Sequence, residues 1–114
     1  MLAKKFRLTG SKDFKKVQEE GRVFQSSDFG IAILKRNDDL PSRFAFVVST
    51  KIAKEAADRN RFKRAMSEAV RLASVDISNG YDAVFLAKTS IVKVSTDLVM
   101  KQVRAALKES GLSR

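Results

Sequence analysis

A single α/β domain is predicted for these 114 residues, an αββαβα sandwich around a small mixed sheet of the four-stranded type. Three observations predict it. Apolar residues recur at helical spacing in three segments flanked by start and stop residues. Short alternating apolar runs lie between those segments. No repeat, low-complexity tract or linker interrupts the chain, so residues 1–114 are read as one domain, and a hydrophobic fraction of 44% can supply its core.

The first helix is expected over about Ser11–Glu20, with Ser11 as N-cap, Gly21 as the stop, and Phe14 and Val17 on one side. Strands are expected at about 22–35 and 43–49. In the first, Phe29, Ile31 and Ile33 share one face, while Gly30, Ala32 and Leu34 share the other. In the second, Phe44, Phe46 and Val48 oppose Ala45, Val47 and Ser49. The sheet thus has a bulky face suited to a core. Its smaller face could either line a shallow groove or accept a closely packed helix. Between the two strands lies the turn-rich break Asn37-Asp38-Asp39-Leu40-Pro41-Ser42, which holds the only proline. A long helix follows over about 56–74, then the Asn79-Gly80 turn and a strand, Tyr81–Ala87. The last helix runs from a cap at Ser95 to Gly111, with Val99, Val103, Ala106 and Leu107 on its apolar side.

Composition narrows the chemistry. Lys and Arg number 23 against 13 Asp and Glu, a formal charge of +10 that favours a polyanionic partner through steering and counterion release. Without His, imidazole acid–base catalysis and imidazole metal ligation are excluded; without Cys, so are disulfides and thiol chemistry. The acidic residues Glu19-Glu20, Asp38-Asp39 and Glu55/Asp58 fall in loops, at helix ends or in salt-bridging positions. No catalytic residue and no metal ligand are therefore assigned to this chain. No apolar run approaches the roughly 20 residues of a membrane span, and no apolar stretch follows the basic residues near Met1. A cytoplasmic location is expected.

The densest segment is Ala56 to Leu72. At ~100° per residue, Phe62, Ala65, Met66, Ala69, Val70, Leu72 and Ala73 fall within an arc of about 160°, wide enough to be the buried stripe. Asn60, Arg61, Lys63, Arg64 and Arg71 occupy much of the opposite arc, with Ser67 and Glu68 among them, and Arg59 projects near the edge of the stripe. Cations in the first turns oppose the helix dipole, and Arg59 and Lys63 are like charges at i, i+4. An external anion relieves both penalties. Phosphate suits the site, since guanidinium groups pair with it bidentately, Lys63 adds a point charge, and the helix end offers unpaired N–H groups. Asn60 can hydrogen-bond a base edge or a 2′-hydroxyl.

Arg59-Asn60-Arg61-x-Lys63-Arg64, followed by Glu68 and Arg71, closely resembles the RNR motif of the bacterial ribonuclease P protein subunits. Val47-Val48-Ser49-x-Lys51-Ile52, Asp13-Phe14-x-Lys16-Val17 and Tyr81-Asp82-Ala83-Val84 resemble other segments of that family, in the same order. The resemblance implies a subunit that works with a catalytic RNA to remove the 5′ leader of precursor tRNA, with Mg²⁺ held mainly by the RNA and no protein partner required. It implies contact with the catalytic RNA through Arg59, Asn60, Arg61, Lys63, Arg64 and Arg71. It also implies a leader cleft between the first helix and the sheet, holding Phe14, Gln18, Ala32 and Lys51, and a left-handed crossover around the basic helix, against the usual preference. The chain departs from the family pattern at Ser67, where another arginine is usual, at Ala53, often glycine, and at Gln18 and Ala32, where bulkier cleft residues occur. Three other readings compete: a ribosomal or other structural RNA-binding protein, a free-standing protein nuclease, and a nonspecific DNA-binding protein.

Overall fold

The computed structural model describes residues 2–114. Four strands form one sheet: β1 (Arg22–Gln25), β2 (Phe29–Lys35), β3 (Arg43–Val47) and β4 (Tyr81–Ala87), in spatial order β1-β2-β4-β3. The helices are α1 (Ser11–Glu20), α2 (Ala56–Leu72) and α3 (Thr96–Glu109), with single 3-10 turns at Lys4–Phe6, Ser74–Asp76 and Thr89–Lys93. β1–β2 and β2–β4 are antiparallel, whereas β3–β4 is parallel, so α2 is the crossover that joins the two parallel strands.

The mixed α/β architecture matches expectation, with one correction. The run expected as one strand over 22–35 is a hairpin, giving the order αβββαβα. Ser26-Ser27-Asp28 makes the turn: Ser26 N–H donates to Phe29 O at 2.9 Å, and the Lys88 ammonium and N–H bind Ser26 O and Asp28 O. Three short polar residues turn the chain readily, but their neighbours on both sides keep strand-like alternation, which hides the break.

Smaller differences have local causes. Gly10, not Ser11, caps α1, and its carbonyl accepts the Phe14 N–H at 2.9 Å. Gly21 follows α1 with extended backbone (φ −73°, ψ 151°) and leads straight into β1. Glycine is needed there for space, since a Cβ would lie 2.5 Å from Val17 O and 2.9 Å from Ile33 O. α2 stops at Leu72, where Ser74 and Asp76 favour a turn over a further helical turn. Ser95 caps α3 as expected, its Oγ accepting the Leu98 N–H at 3.2 Å, and Gly111 beyond the helix has φ +87°.

The two sheet faces are covered differently. Phe29, Ile31, Ile33, Phe44, Ala83 and Phe85 face α2 and α3, which contribute Phe62, Met66, Val70, Val99, Val103 and Leu107 to the main core. On the other face Ala32 and Val84 pack against Leu8 and against Val17 of α1. Small residues on this face let α1 approach the sheet closely. At the other end of the sheet, the buried carboxylate of Asp82 on β4 binds Arg43 of β3 (2.7 and 2.9 Å) and Arg36 just beyond β2 (2.5 Å). Hydrogen bonds donated to Asp38 and then to Asp82 raise the Arg36 pKa above its ordinary value despite partial burial, and the bond to Asp82 does the same for Arg43.

Two expected outcomes test this arrangement. Asp82→Ala removes the buried carboxylate shared by two partly buried guanidinium groups, leaving Arg36 with Asp38 and Arg43 with Asp13, and lowers stability by about 3 kcal/mol, read from urea unfolding at constant m-value. Gly21→Ala forces a Cβ against backbone carbonyls and costs about 1–3 kcal/mol in the same assay.

Candidate RNA interface

The parallel pairing of β3 with β4 sends the chain out of β3 through residues 48–55 and back along α2. The connecting segment folds on itself: Ile52 and Ala53 N–H both donate to Ser49 O, at 3.0 and 3.2 Å, leaving Lys51 exposed at the turn. Ala53 is buried in the main core and anchors the segment, with φ outside the positive region.

The basic residues of α2 separate into distinct environments. Asn60, Arg61 and Arg64 are exposed and line an open groove of about 580 Å³ against α3. The Arg61 guanidinium lies 4.3 Å from the centroid of the Phe62 ring, which restrains the side chain while leaving it exposed. Lys63 is half-buried on another flank. Arg59 is also half-buried, and its Nη1 donates to Ala53 O at 3.0 Å and Lys54 O at 2.6 Å. This guanidinium ties the connecting segment to the first turn of α2. Arg71 pairs with Glu68 through two hydrogen bonds, one of 3.0 Å from Nε and one from Nη2. That pairing holds the Glu68 carboxyl below its usual range, raises the Arg71 pKa, and offsets the Arg71 charge.

The buried stripe of α2 is rotated relative to the expected one. Ser67, expected among the exposed residues, is only 4% exposed and lines a depression with Arg7, Leu8, Thr9 and Phe44; its Oγ donates to Arg64 O at 3.1 Å. Leu72, expected inside, is 51% exposed. The amino-terminal segment causes this rotation. Leu8 N–H donates to Phe44 O at 2.8 Å, laying the segment along the β3 edge where it covers the Ser67 side of the helix.

The leader-cleft residues also fall into different settings. Phe14 is half-buried on α1, packed against the Leu8–Val17–Ala32–Val84 cluster. Gln18 and Lys51 are exposed. Ala32 is 3% exposed beneath α1 and offers almost no surface. Half-buried Ala45, Val47 and Leu86 adjoin the same cluster and extend the apolar strip beside α1. Strand alternation already placed Ala45 and Val47 on this face, but Leu86 was not assigned, because β4's place between β2 and β3 is not a local property. Among the described residues no group of three or more Asp, Glu, His or Cys could hold a metal ion, and no helix is long and apolar enough to cross a membrane.

A small mixed α/β domain that exposes Arg61 and Arg64 on one helix, without an ion pair among the described residues, has the features of the polyanion-binding class. The ribonuclease P family model matches residues 2–111. The ribonuclease P protein component of Clostridioides difficile is 36% identical over 108 residues, covering 93% of this chain and 92% of that protein. Its counterpart in Syntrophomonas wolfei is 34% identical over 112 residues, covering 98% and 92%. The RNase P protein structure from Thermotoga maritima superposes with a TM-score of 0.79 at 28% identity, covering 90% of this chain and 96% of that one. The protein from Staphylococcus aureus, at 20% identity and a TM-score of 0.87 over 96% of this chain and 98% of that one, shows the shared fold. The chain belongs to the ribonuclease P protein family, whose members are subunits of an endoribonuclease.

Arg64→Ala is expected to reduce the salt dependence of RNA binding by about one unit, as for one lost phosphate contact. Arg59→Met instead speeds hydrogen exchange at the Ile52 and Ala53 amides while β4 amides stay protected, because its Nη1 is committed to the connecting segment. A salt-slope change equal to that of Arg64→Ala, with exchange unaltered, would show Arg59 to be a phosphate ligand.

Proposed function

We propose that this chain is the protein subunit of a ribonucleoprotein that removes the 5′ leader of precursor tRNA. The reading has α2 binding the catalytic RNA through Asn60, Arg61 and Arg64, with Lys63 on its flank. Arg59 acts chiefly by holding the 48–55 segment, and Arg71 contributes after its pairing with Glu68. The leader lies along the strip between α1 and the sheet, against Phe14 and the half-buried Ala45, Val47 and Leu86, with Lys51 at its basic margin and Gln18 offering an amide at its rim. Ala32 supports this strip from below. Such a site is short of aromatic surface, so backbone and charge contacts dominate over base stacking, which is worth about 1–3 kcal/mol per base elsewhere.

The observation that carries the proposal is the family match over residues 2–111 together with exposed, unpaired cations at the matching helix. The hydrolytic chemistry belongs to the RNA. Mg²⁺ is held mainly there, and among the described residues no group of three or more carboxylates could hold it. The complex works in the cytoplasm, where precursor tRNA is processed.

Reconstitution tests this directly. Protein with Mg²⁺ and precursor tRNA gives no cleavage, whereas adding in vitro-transcribed ribonuclease P RNA at low Mg²⁺ gives accurate 5′ cleavage that depends on the protein. Robust cleavage by protein alone would overturn the reading. Phe14→Ala weakens the complex for precursor tRNA by about fivefold or more and leaves mature tRNA unaffected, consistent with loss of one stacked base. Equal loss for both substrates would instead assign Phe14 to the core.

A further inference from the structure

The cations of α2 are followed, further along the α2–α3 groove, by cations of α3 that the sequence pattern did not connect to them. Lys101, Arg104 and Lys108 recur at i, i+3 and i+7, so they fall on one side of α3, and all three are exposed. Among the described residues, neither these three nor Arg61 and Arg64 form an ion pair within 4.0 Å. Two adjoining depressions run between the helices. The first, about 580 Å³, is lined by Asn60, Arg61, Arg64, Glu68, Thr96 and Met100, among others, and Glu68 is engaged by Arg71. The second, about 320 Å³, is lined by Ala69, Leu72, Asp97, Met100, Lys101 and Arg104. Met100 borders both, so the two depressions meet at its thioether and together make the α2–α3 channel, with exposed Leu72 lining the second.

Apolar side chains line the groove, and the α2 cations beside its first depression and α3 cations beside its second outnumber the carboxylates Glu68 and Asp97 in the lining. Together they describe a particular kind of ligand. Unpaired nucleotides present apolar base faces and phosphates together, whereas a duplex presents its backbone and shallow groove. Methionine is suited to the former, being flexible and polarizable against an aromatic face. The volume of the larger depression lies within the ~300–1,000 Å³ typical of small-ligand sites. The channel also continues the proposed RNA face of α2. It cannot be the leader strip, because α2 and α3 pack on one face of the sheet and α1 on the other.

We propose that the α2–α3 channel is a second part of the RNA interface and holds an unpaired run of the catalytic RNA. Its bases lie against Met100 and Leu72, and its phosphates contact Arg61 and Arg64 beside the first depression and Lys101 and Arg104 beside the second. This inference rests on the catalytic-RNA reading above and extends its footprint from one helix to two.

The test measures binding of the full chain to in vitro-transcribed ribonuclease P RNA across a salt series. Lys101→Ala/Arg104→Ala is expected to lower the salt slope by about two units. The charge-matched pair Lys12→Ala/Lys15→Ala, on exposed positions of α1, is expected to change it by less than half as much. Met100→Ser and, at the exposed position, Leu72→Ser are each expected to weaken binding about tenfold with the slope unchanged, as for loss of a well-packed contact. Hydroxyl-radical footprinting of the Lys101/Arg104 variant should lose protection in an unpaired segment of the RNA. An unchanged slope for the α3 pair, an equal fall for the α1 pair, or lost protection confined to paired helices would overturn the proposal. Binding by the unaltered chain that Arg64→Ala weakens, but the α3 and channel variants do not, would overturn this inference alone. Failure of the unaltered chain to bind the RNA would overturn the catalytic-RNA reading with it.

Discussion

The carboxylate of Asp82 joins three strands at one end of the sheet. Its β3 neighbour in register, Arg43, donates to both of its oxygens, and Arg36 approaches from the end of β2. Arg36 then reaches on to Asp38, Leu40 O and Pro41 O, so the same guanidinium fastens the loop between β2 and β3. Buried ion pairs are poor sources of net stability, but they are effective at excluding alternatives. A one-residue slip of β4 would send Asp82 to the face occupied by Phe29, Phe44 and Phe85, where a charge has no partner. The register of the parallel pair is therefore held by charge at one end and by apolar packing along its length.

That register determines where α2 can begin. β3 ends at Val47, at the opposite end of the sheet from Asp82, and the eight residues from 48 to 55 must turn the chain onto α2. No side chain caps the first turn of this helix. The constraint comes instead from Arg59, which reaches back to two carbonyls of the incoming segment, and from buried Ala53. With its start held, α2 lies with Phe62, Met66 and Val70 on the bulky sheet face, and its Asn60–Arg64 surface is left to solvent. The charge pattern is thus displayed because the apolar pattern is satisfied first.

Most elements were legible because they depend on local periodicity: the unequal strand faces, the caps at Ser95 and Gly111, and the turn at Asn79-Gly80. The misreadings share a physical origin in contacts between distant segments. Ser67 and Leu72 lie at opposite edges of the helical stripe, and hydrophobicity alone assigned them wrongly. The neighbours decided otherwise, since residues 7–9 run along β3 on the Ser67 side. Arg59 and Arg71 were indistinguishable from Arg64 as charges in sequence, although one is engaged by carbonyls and the other by a carboxylate. Ala32 was correctly placed on the smaller face, but its burial depended on how closely α1 would approach. The channel was invisible for a stronger reason: no local pattern predicts that Met100 and Lys101 will sit beside Ala69 and Leu72.

The sheet keeps the two proposed RNA-binding faces physically separate, yet one segment reaches both. Lys51, proposed for the margin of the leader strip, is exposed on the 48–55 turn, while carbonyls a few residues further on are gripped by Arg59 of α2. A shift of α2's first turn would therefore strain the segment that carries Lys51. Both faces are also built on β3: Phe44 and Phe46 support the α2 side, while Ala45 and Val47 support the other. Because adjacent strand residues point to opposite faces, neither surface can move along β3 without displacing the other. The short parallel strand thus sets the relative positions of the two proposed RNA-binding faces. On the proposed reading, a rigid spacer of this kind is the protein's contribution, namely the placement of a substrate relative to an RNA that performs the chemistry.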